Sequence, residues 1–166
     1  MFKRMLFILT IVMVSGCSRA GNGDDYTAGD LRAKNHVAGQ SINWFSVNGY
    51  GASGLGGGVC CVMLPMKWTP GLKAHIEWEV DPEPYARLPS LGTDEFRKAY
   101  ARHAANYQKH STVVDIPEYG EKRCGITVHF LPCNQVKVTT VCEGYGTPGY
   151  PIKEPMNMKE PAQCPQ

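Results

Sequence analysis

One stretch, Ile42 to Val80, limits the folds open to this chain more than any other. It reads INWFSVNGYGASGLGGGVCCVMLPMKWTPGLKAHIEWEV. Ile42–Val47 is rich in β-branched and aromatic residues and ends at Asn48-Gly49, a strand-terminating turn signal. A ten-residue loop with six glycines, Gly49–Gly58, separates it from a second apolar run, Val59–Leu64, which carries the adjacent Cys60 and Cys61 and stops at Pro65. Trp68-Thr69-Pro70-Gly71 has proline at a central turn position. Beyond it Ala74, Ile76, Trp78 and Val80 alternate with His75, Glu77 and Glu79. That period of two is the signature of a strand with one face buried and one in water. Asp81-Pro82-Glu83-Pro84 ends it.

The flanking segments extend the pattern. Leu31–Gln40 carries no clear signal. Thr93–His110 predicts one helix, with Thr93 as cap and Asp94 and Glu95 in the first turn, where the helix dipole favours acids. Phe96, Tyr100, Ala104 and Tyr107, with Ala99 beside them, form its apolar stripe, and Arg97, Lys98, Arg102 and Lys109 face the other way. A short strand at Thr112–Ile116 and a turn at Pro117–Gly120 lead into a hairpin, Gly125–Leu131 and Gln135–Val141, around Pro132-Cys133-Asn134. Five or six short strands, mostly antiparallel, and one helix at about 93–110 predict a β-sandwich-like α+β domain over residues 31–143. Residues 144–166 read as a Gly/Pro-rich tail of irregular coil.

The chain is expected to leave the cytoplasm. Lys3 and Arg4, the apolar run Met5–Val14 and the small pair Ser15-Gly16 make a secretory signal over residues 1–16, too short to span a bilayer. Val14-Ser15-Gly16-Cys17 resembles a bacterial lipobox, which makes Cys17 the lipidated first residue of the mature protein; the competing reading is an ordinary signal with an incidental cysteine. More than one acyl chain anchors stably where a single one does not. Ser18 follows in place of the aspartate that resembles an inner-membrane retention signal, so the expected location is the periplasmic leaflet of the outer membrane. Residues 17–30 form the lipid attachment and a polar, flexible tether.

Charge and cysteine usage fit that address. The chain has 17 basic and 15 acidic residues, and removing Lys3 and Arg4 balances the two. No basic stripe remains, which argues against nucleic acid as a partner. Besides Cys17 there are six cysteines, Cys60, Cys61, Cys124, Cys133, Cys142 and Cys164, and an even number in an oxidising compartment reads as up to three disulfides. Cys124 and Cys142 are symmetric about the Cys133 turn, so a cross-strand bond between them is expected. Cys60 and Cys61, as neighbours on a strand, should point to opposite faces, one of them meeting Cys133 or Cys164 rather than the other.

Constellations that would carry chemistry fail on spacing. Gly49-x-Gly51-x-x-Gly54 matches a dinucleotide fingerprint, but a strand follows where a helix must start to hold the pyrophosphate. No Cys-x-x-Cys occurs and the histidines are scattered, so no metal site is predicted. His75-x-Glu77 with Pro132-Cys133 echoes a zinc deaminase, yet Val136 stands where the second cysteine belongs. His103 and His110 share a face of the expected helix, and two histidines do not make a site. There is no Gly-x-Ser-x-Gly elbow, and Glu77 and Glu79 lie on one strand face rather than across a cleft. No cofactor is implied and no enzyme is expected. What remains is the loop and the turn after it. Tyr50, Leu55, Lys67 and Trp68 are candidate partner contacts, since glycines allow close backbone approach and Tyr and Trp anchor interfaces. The competing reading has Trp68 closing the end of the core and the glycines permitting a bend.

NWFSVNGYG, GGGVCCVMLPMKWTPGLK and VHFLPCNQVKV, with GYGTPGYP in the tail, together resemble a family of small uncharacterised proteobacterial lipoproteins. Such proteins are often encoded beside type VI secretion phospholipase effectors. The resemblance covers about Ile42–Val80 and Gly125–Val141 and implies an immunity protein, a periplasm-facing lipoprotein that binds a toxic phospholipase and blocks it. A structural or accessory envelope lipoprotein without a toxin partner is the alternative, and an envelope hydrolase comes third.

Overall fold

The computed structural model describes residues 25–54 and 58–165. Among the described residues, eight strands form two four-stranded sheets, and a single α-helix lies outside them. The strands are β1 (Tyr26–Asn35), β2 (Ser41–Val47), β3 (Tyr50–Ser53), β4 (Val59–Pro65), β5 (Lys73–Asp81), β6 (Gln108–Asp115), β7 (Ile126–Leu131) and β8 (Gln135–Thr139). The helix, α1, spans Asp94–Ala104 between β5 and β6.

The first sheet has the order β4-β1-β7-β8 and the second β3-β2-β5-β6. All pairings are antiparallel except β1 with β7, which run parallel. The apolar alternation in β5 buries Ala74, Ile76, Trp78 and Val80. Phe45 and Val47 from β2 join them, and Leu31, Val62, Leu64, Ile126, Val128 and Phe130 meet them from the other sheet. Phe130 bridges the two layers, edge-on to Phe45 with ring centres 5.9 Å apart and tilted against Trp78 at 5.4 Å. This is a sandwich core, in which the inner faces of two twisted sheets interdigitate.

The opening block therefore divides between layers. Asn48 and Gly49, at φ 51° and 83°, make a two-residue turn that pairs β2 with β3, so a strand stands where the sequence predicts only loop. Asn-Gly satisfies the two positive φ values that this hairpin demands. From β3 the chain crosses to the other sheet as β4, and the glycine run links two layers rather than neighbouring strands.

Three further expectations need correction. Tyr26–Asp30, assigned to the tether, and Leu31–Asn35, without a signal, are β1, a central strand. Only Leu31 and Ala33 carry the alternation inward, between Asp30, Arg32 and Lys34, and the half of the strand before them, Tyr26–Asp30, is small or polar and buries none of its residues. The helix ends at Ala104, not His110, and β6 begins at Gln108. Eight registered pairs with β5 outweigh continuation of a helix that buries none of its residues. Thr93 caps it as expected, accepting from the Phe96 amide at 3.0 Å, but the Phe96–Tyr100 stripe stacks on itself at the surface. Third, the tail is irregular yet packed: Tyr150 and Ile152 are buried, and Met158 exchanges backbone hydrogen bonds with His36 and Ala38.

Candidate functional site

The partner contacts expected from the sequence separate on inspection. Tyr50 is exposed beside the Asn48-Gly49 turn, which is fastened to β5 where Asn48 and His75 exchange hydrogen bonds of 2.8 Å. Lys67 is exposed. Trp68 is half-buried and donates its indole N–H to the Ile116 carbonyl at 2.9 Å, closing that end of the core. Leu55 and the lipidation candidate Cys17 lie outside the described residues. His75 and Glu77 lie on the exposed face of β5, hydrogen-bonded to Ser111 and Ser46. His103 and His110 part company, since one is on α1 and the other on β6 stacked against Trp78 at 5.2 Å.

Three disulfides join the six described cysteines. Cys124–Cys142 closes the β7–β8 hairpin with Cα atoms 4.9 Å apart, the pairing its symmetry predicts. Cys133–Cys164 pins the tail to the hairpin turn, Cα atoms 5.4 Å apart. Cys60 and Cys61 are bonded to each other, so neither reaches Cys133 or Cys164 as expected. The register explains the difference. Gly29 faces Val62 and Asp30 faces Cys60, leaving Cys61 the unpaired residue of a β-bulge, where strict alternation of faces no longer holds. Cys133, Cys164 and Glu160 lie close together, but the two sulfurs are bonded to each other and Glu160 accepts from the Cys133 amide at 2.9 Å.

A cluster the sequence does not announce lies between the first sheet and the tail. His36, His129 and Tyr150 are buried. His36 Nδ1 is 3.0 Å from the Pro155 carbonyl, His36 Nε2 is 2.7 Å from His129 Nδ1, and His129 Nε2 is 2.7 Å from the Tyr150 hydroxyl. A carbonyl oxygen only accepts, so His36 Nδ1 donates to Pro155. In the neutral pair His36 Nε2 must then accept from His129 Nδ1–H, and Tyr150 O–H donates to His129 Nε2. Each of the four ring nitrogens is used once, and the chain runs in one direction.

The electrostatics agree with that direction. Burial, then the neighbouring His36, with Lys34 and Lys137 in support, lower the His129 pKa to about 4 against the opposing pull of Glu154. Burial raises the Tyr150 pKa, which keeps its hydroxyl a donor. Tyr145 packs edge-on to His36 and Tyr150 and donates to the Glu154 carbonyl, while the Glu154 carboxylate holds Lys137. Beside this cluster opens a cleft of about 470 Å³, lined by Arg32, Lys34, Thr127, Glu143, Tyr145 and Tyr150.

A second feature lies at the far end of β5. Pro82–Tyr107 leaves the sheet at Asp81 and returns at Gln108. Asp81 is buried and holds the excursion at both ends, accepting from the Glu83 amide at 2.8 Å and from His103 Nε2 at 3.0 Å. Burial, followed by the hydroxyl of Tyr100 and the charges of Asp81 and Glu79, pushes the Tyr107 pKa up to about 12. The outer side is open: Tyr85 and Leu91 are 88% and 84% exposed, and Tyr100 is exposed beside Phe96.

The family model described as a protein of unknown function, DUF3304, matches residues 34–138. The chain belongs to the DUF3304 family. No curated protein and no solved structure matches it. The DUF3304 match contains β2 to β7 and nearly all of β8, and with them Lys34, His36, Thr127 and His129. Tyr145 and Tyr150, which complete the histidine cluster, come from the tail beyond it. The weak local trace of the cluster is a histidine between apolar residues in Thr127-Val128-His129-Phe130, and only a tail expected to pack there would have exposed its meaning.

Proposed function

We propose that this DUF3304 protein is a lipid-anchored envelope protein that binds a secreted phospholipase and blocks it by protein–protein contact. The observation that carries the reading is the excursion Pro82–Tyr107. Its helix buries no residue, yet its base is fixed by Asp81 and its outer side displays Tyr85, Leu91 and the Phe96–Tyr100 pair. A segment that adds little to the core but holds aromatic and apolar side chains in water has the makeup of an interface anchor. Tyr50 and Lys67 are exposed at the opposite end of β5 and are the second candidate contact. The sequence reading groups Trp68 and Leu55 with them as candidate contacts; Trp68 spends its indole N–H on the Ile116 carbonyl, which favours the competing core role.

Anchorage through Cys17 would keep the protein at the bilayer surface that such a lipase attacks and raise its effective concentration there. The presence of a secreted phospholipase gene beside its own, and co-purification with that lipase, test the reading. The expected result is a stable complex weakened by Tyr85→Ala and Leu91→Ala, with no loss of fold. Absence of any complex with that lipase would leave the accessory-lipoprotein alternative in its place.

A further inference from the structure

The cleft beside the histidine cluster is built differently from the excursion, and its walls have a defined chemistry. Arg32 and Lys34 are two residues apart on β1, so both stand on the outer face, in register with Thr127 and His129 of β7. Thr127 and Tyr150, both buried, line it from beneath. Tyr145 forms an aromatic wall, with the Lys34 ammonium 6.0 Å from its ring centre.

The charges do not cancel. Arg32 is hydrogen-bonded to Asp30 through one terminal nitrogen, which leaves most of its five donors available. Glu143, the one carboxylate of the lining, faces Lys122 at 3.4 Å. Lys34 has no carboxylate partner among the described residues. Tyr150 keeps its hydroxyl on His129, so recognition of a ligand falls to the two cations. The floor is held in place by the histidine chain, and Cys124–Cys142 fixes the strand end from which Glu143 and Tyr145 depart. A cleft of about 470 Å³ is much larger than a bare anion, so its shape suits an anion carried on a small organic group.

We propose that this cleft binds a phosphate ester, its phosphoryl oxygens held by Arg32 and Lys34 and its organic part lying against Tyr145. Guanidinium and ammonium groups on one strand face supply the charge-assisted donors such a group takes, and the ordered floor lowers the entropy of binding. The site is independent of the phospholipase contact proposed above, and either can fail without the other.

The test is a nuclear magnetic resonance titration of the Cys17→Ala protein with glycerol 3-phosphate and with inorganic phosphate. Flotation with phosphatidylcholine vesicles containing phosphatidylglycerol is run beside it. The expected result is shifts confined to the amides around Arg32–Lys34, Thr127 and Tyr145. Affinity should fall roughly tenfold in Lys34→Glu and by less in Lys34→Ala, the loss of one charge-assisted contact. Lys98→Glu on α1 should leave it unchanged. Binding of the free ester assigns a soluble ligand, whereas binding to vesicles with the same variant dependence assigns a lipid headgroup. No shift in the cleft with any probe, or an equal loss in Lys98→Glu, overturns the proposal.

Discussion

His129 and His36 stand 2.7 Å apart, ring nitrogen to ring nitrogen, with both rings buried and a tyrosine and a carbonyl closing the two ends. The pair joins β7 to the residue after β1, and through Tyr150 and Pro155 it fastens the C-terminal segment over the sheet. A hydrogen-bond chain of fixed direction has one weakness, which is an added proton.

Acid should therefore loosen the protein. The His129 pKa is about 4 in the folded state, below the unfolded value of roughly 6.5. The unfolded chain then binds more protons between those limits, so stability rises with pH through this window and is lost as pH falls from about 6.5 toward 4. The neutral state contributes up to roughly 3 kcal/mol above the window. Urea unfolding at pH 7 and pH 4.5 measures it, and His129→Gln should flatten the dependence. An unchanged slope in that variant would place the acid sensitivity elsewhere, with His110, whose pKa burial also lowers, the next group to test.

Gly125, directly before β7, leaves no room for a side chain. It has φ +87°, and a Cβ there would overlap the backbone of Asp30 in β1. Gly125→Ala should destabilise by more than about 2 kcal/mol, combining a disfavoured φ with displacement of the parallel β1–β7 pairing. Gly120→Ala, with open space around its position, should change little. Thermal unfolding of both variants compares them directly.

Much of this framework was legible beforehand, and the failures have physical causes. The alternation Ala74–Val80 gives β5 its faces, and the symmetry of Cys124 and Cys142 gives the hairpin its bond, because both are local patterns. β1 escapes sequence reading because its buried set is only Leu31 and Ala33, preceded by the small and polar run Tyr26–Asp30, which carries no apolar period. The sequence pattern overextends the helix because Tyr107 continues the stripe of Phe96 and Tyr100, while β5 recruits the residues from Gln108 into a sheet. His36, His129 and Tyr150 could not be joined from sequence, since their contact depends on where an irregular tail lies down.

Trp68 distinguishes a core role from a contact role. Trp68→Phe keeps one aromatic ring but loses the pyrrole ring and its hydrogen bond to Ile116, and should cost about 1–2 kcal/mol from the unpaired carbonyl and the lost packing. Tyr50→Ala should leave stability nearly unchanged, as expected of an exposed side chain. Chemical denaturation separates the two.

Asp81 should govern the excursion. Asp81→Ala removes the acceptor of both the Glu83 amide and His103, so α1 loses its tie to β5. Hydrogen exchange should speed up across residues 94–104 while the amides of β5 and β7 stay protected. Equal loss of protection in the core would mean that Asp81 supports the sandwich rather than the excursion.

The anchor proposed at Cys17 has its own readout. Cys17→Ala should leave the domain folded and move it from the membrane pellet to the soluble fraction. Retention in the pellet would contradict lipidation at Cys17.

Lipase inhibition is the most direct measurement. Adding the Cys17→Ala protein to a secreted phospholipase from a neighbouring gene, the partner proposed above, should abolish hydrolysis at a one-to-one ratio. The Tyr85→Ala, Leu91→Ala double variant should restore hydrolysis. Full lipase activity in the presence of excess folded protein would contradict the proposed immunity function.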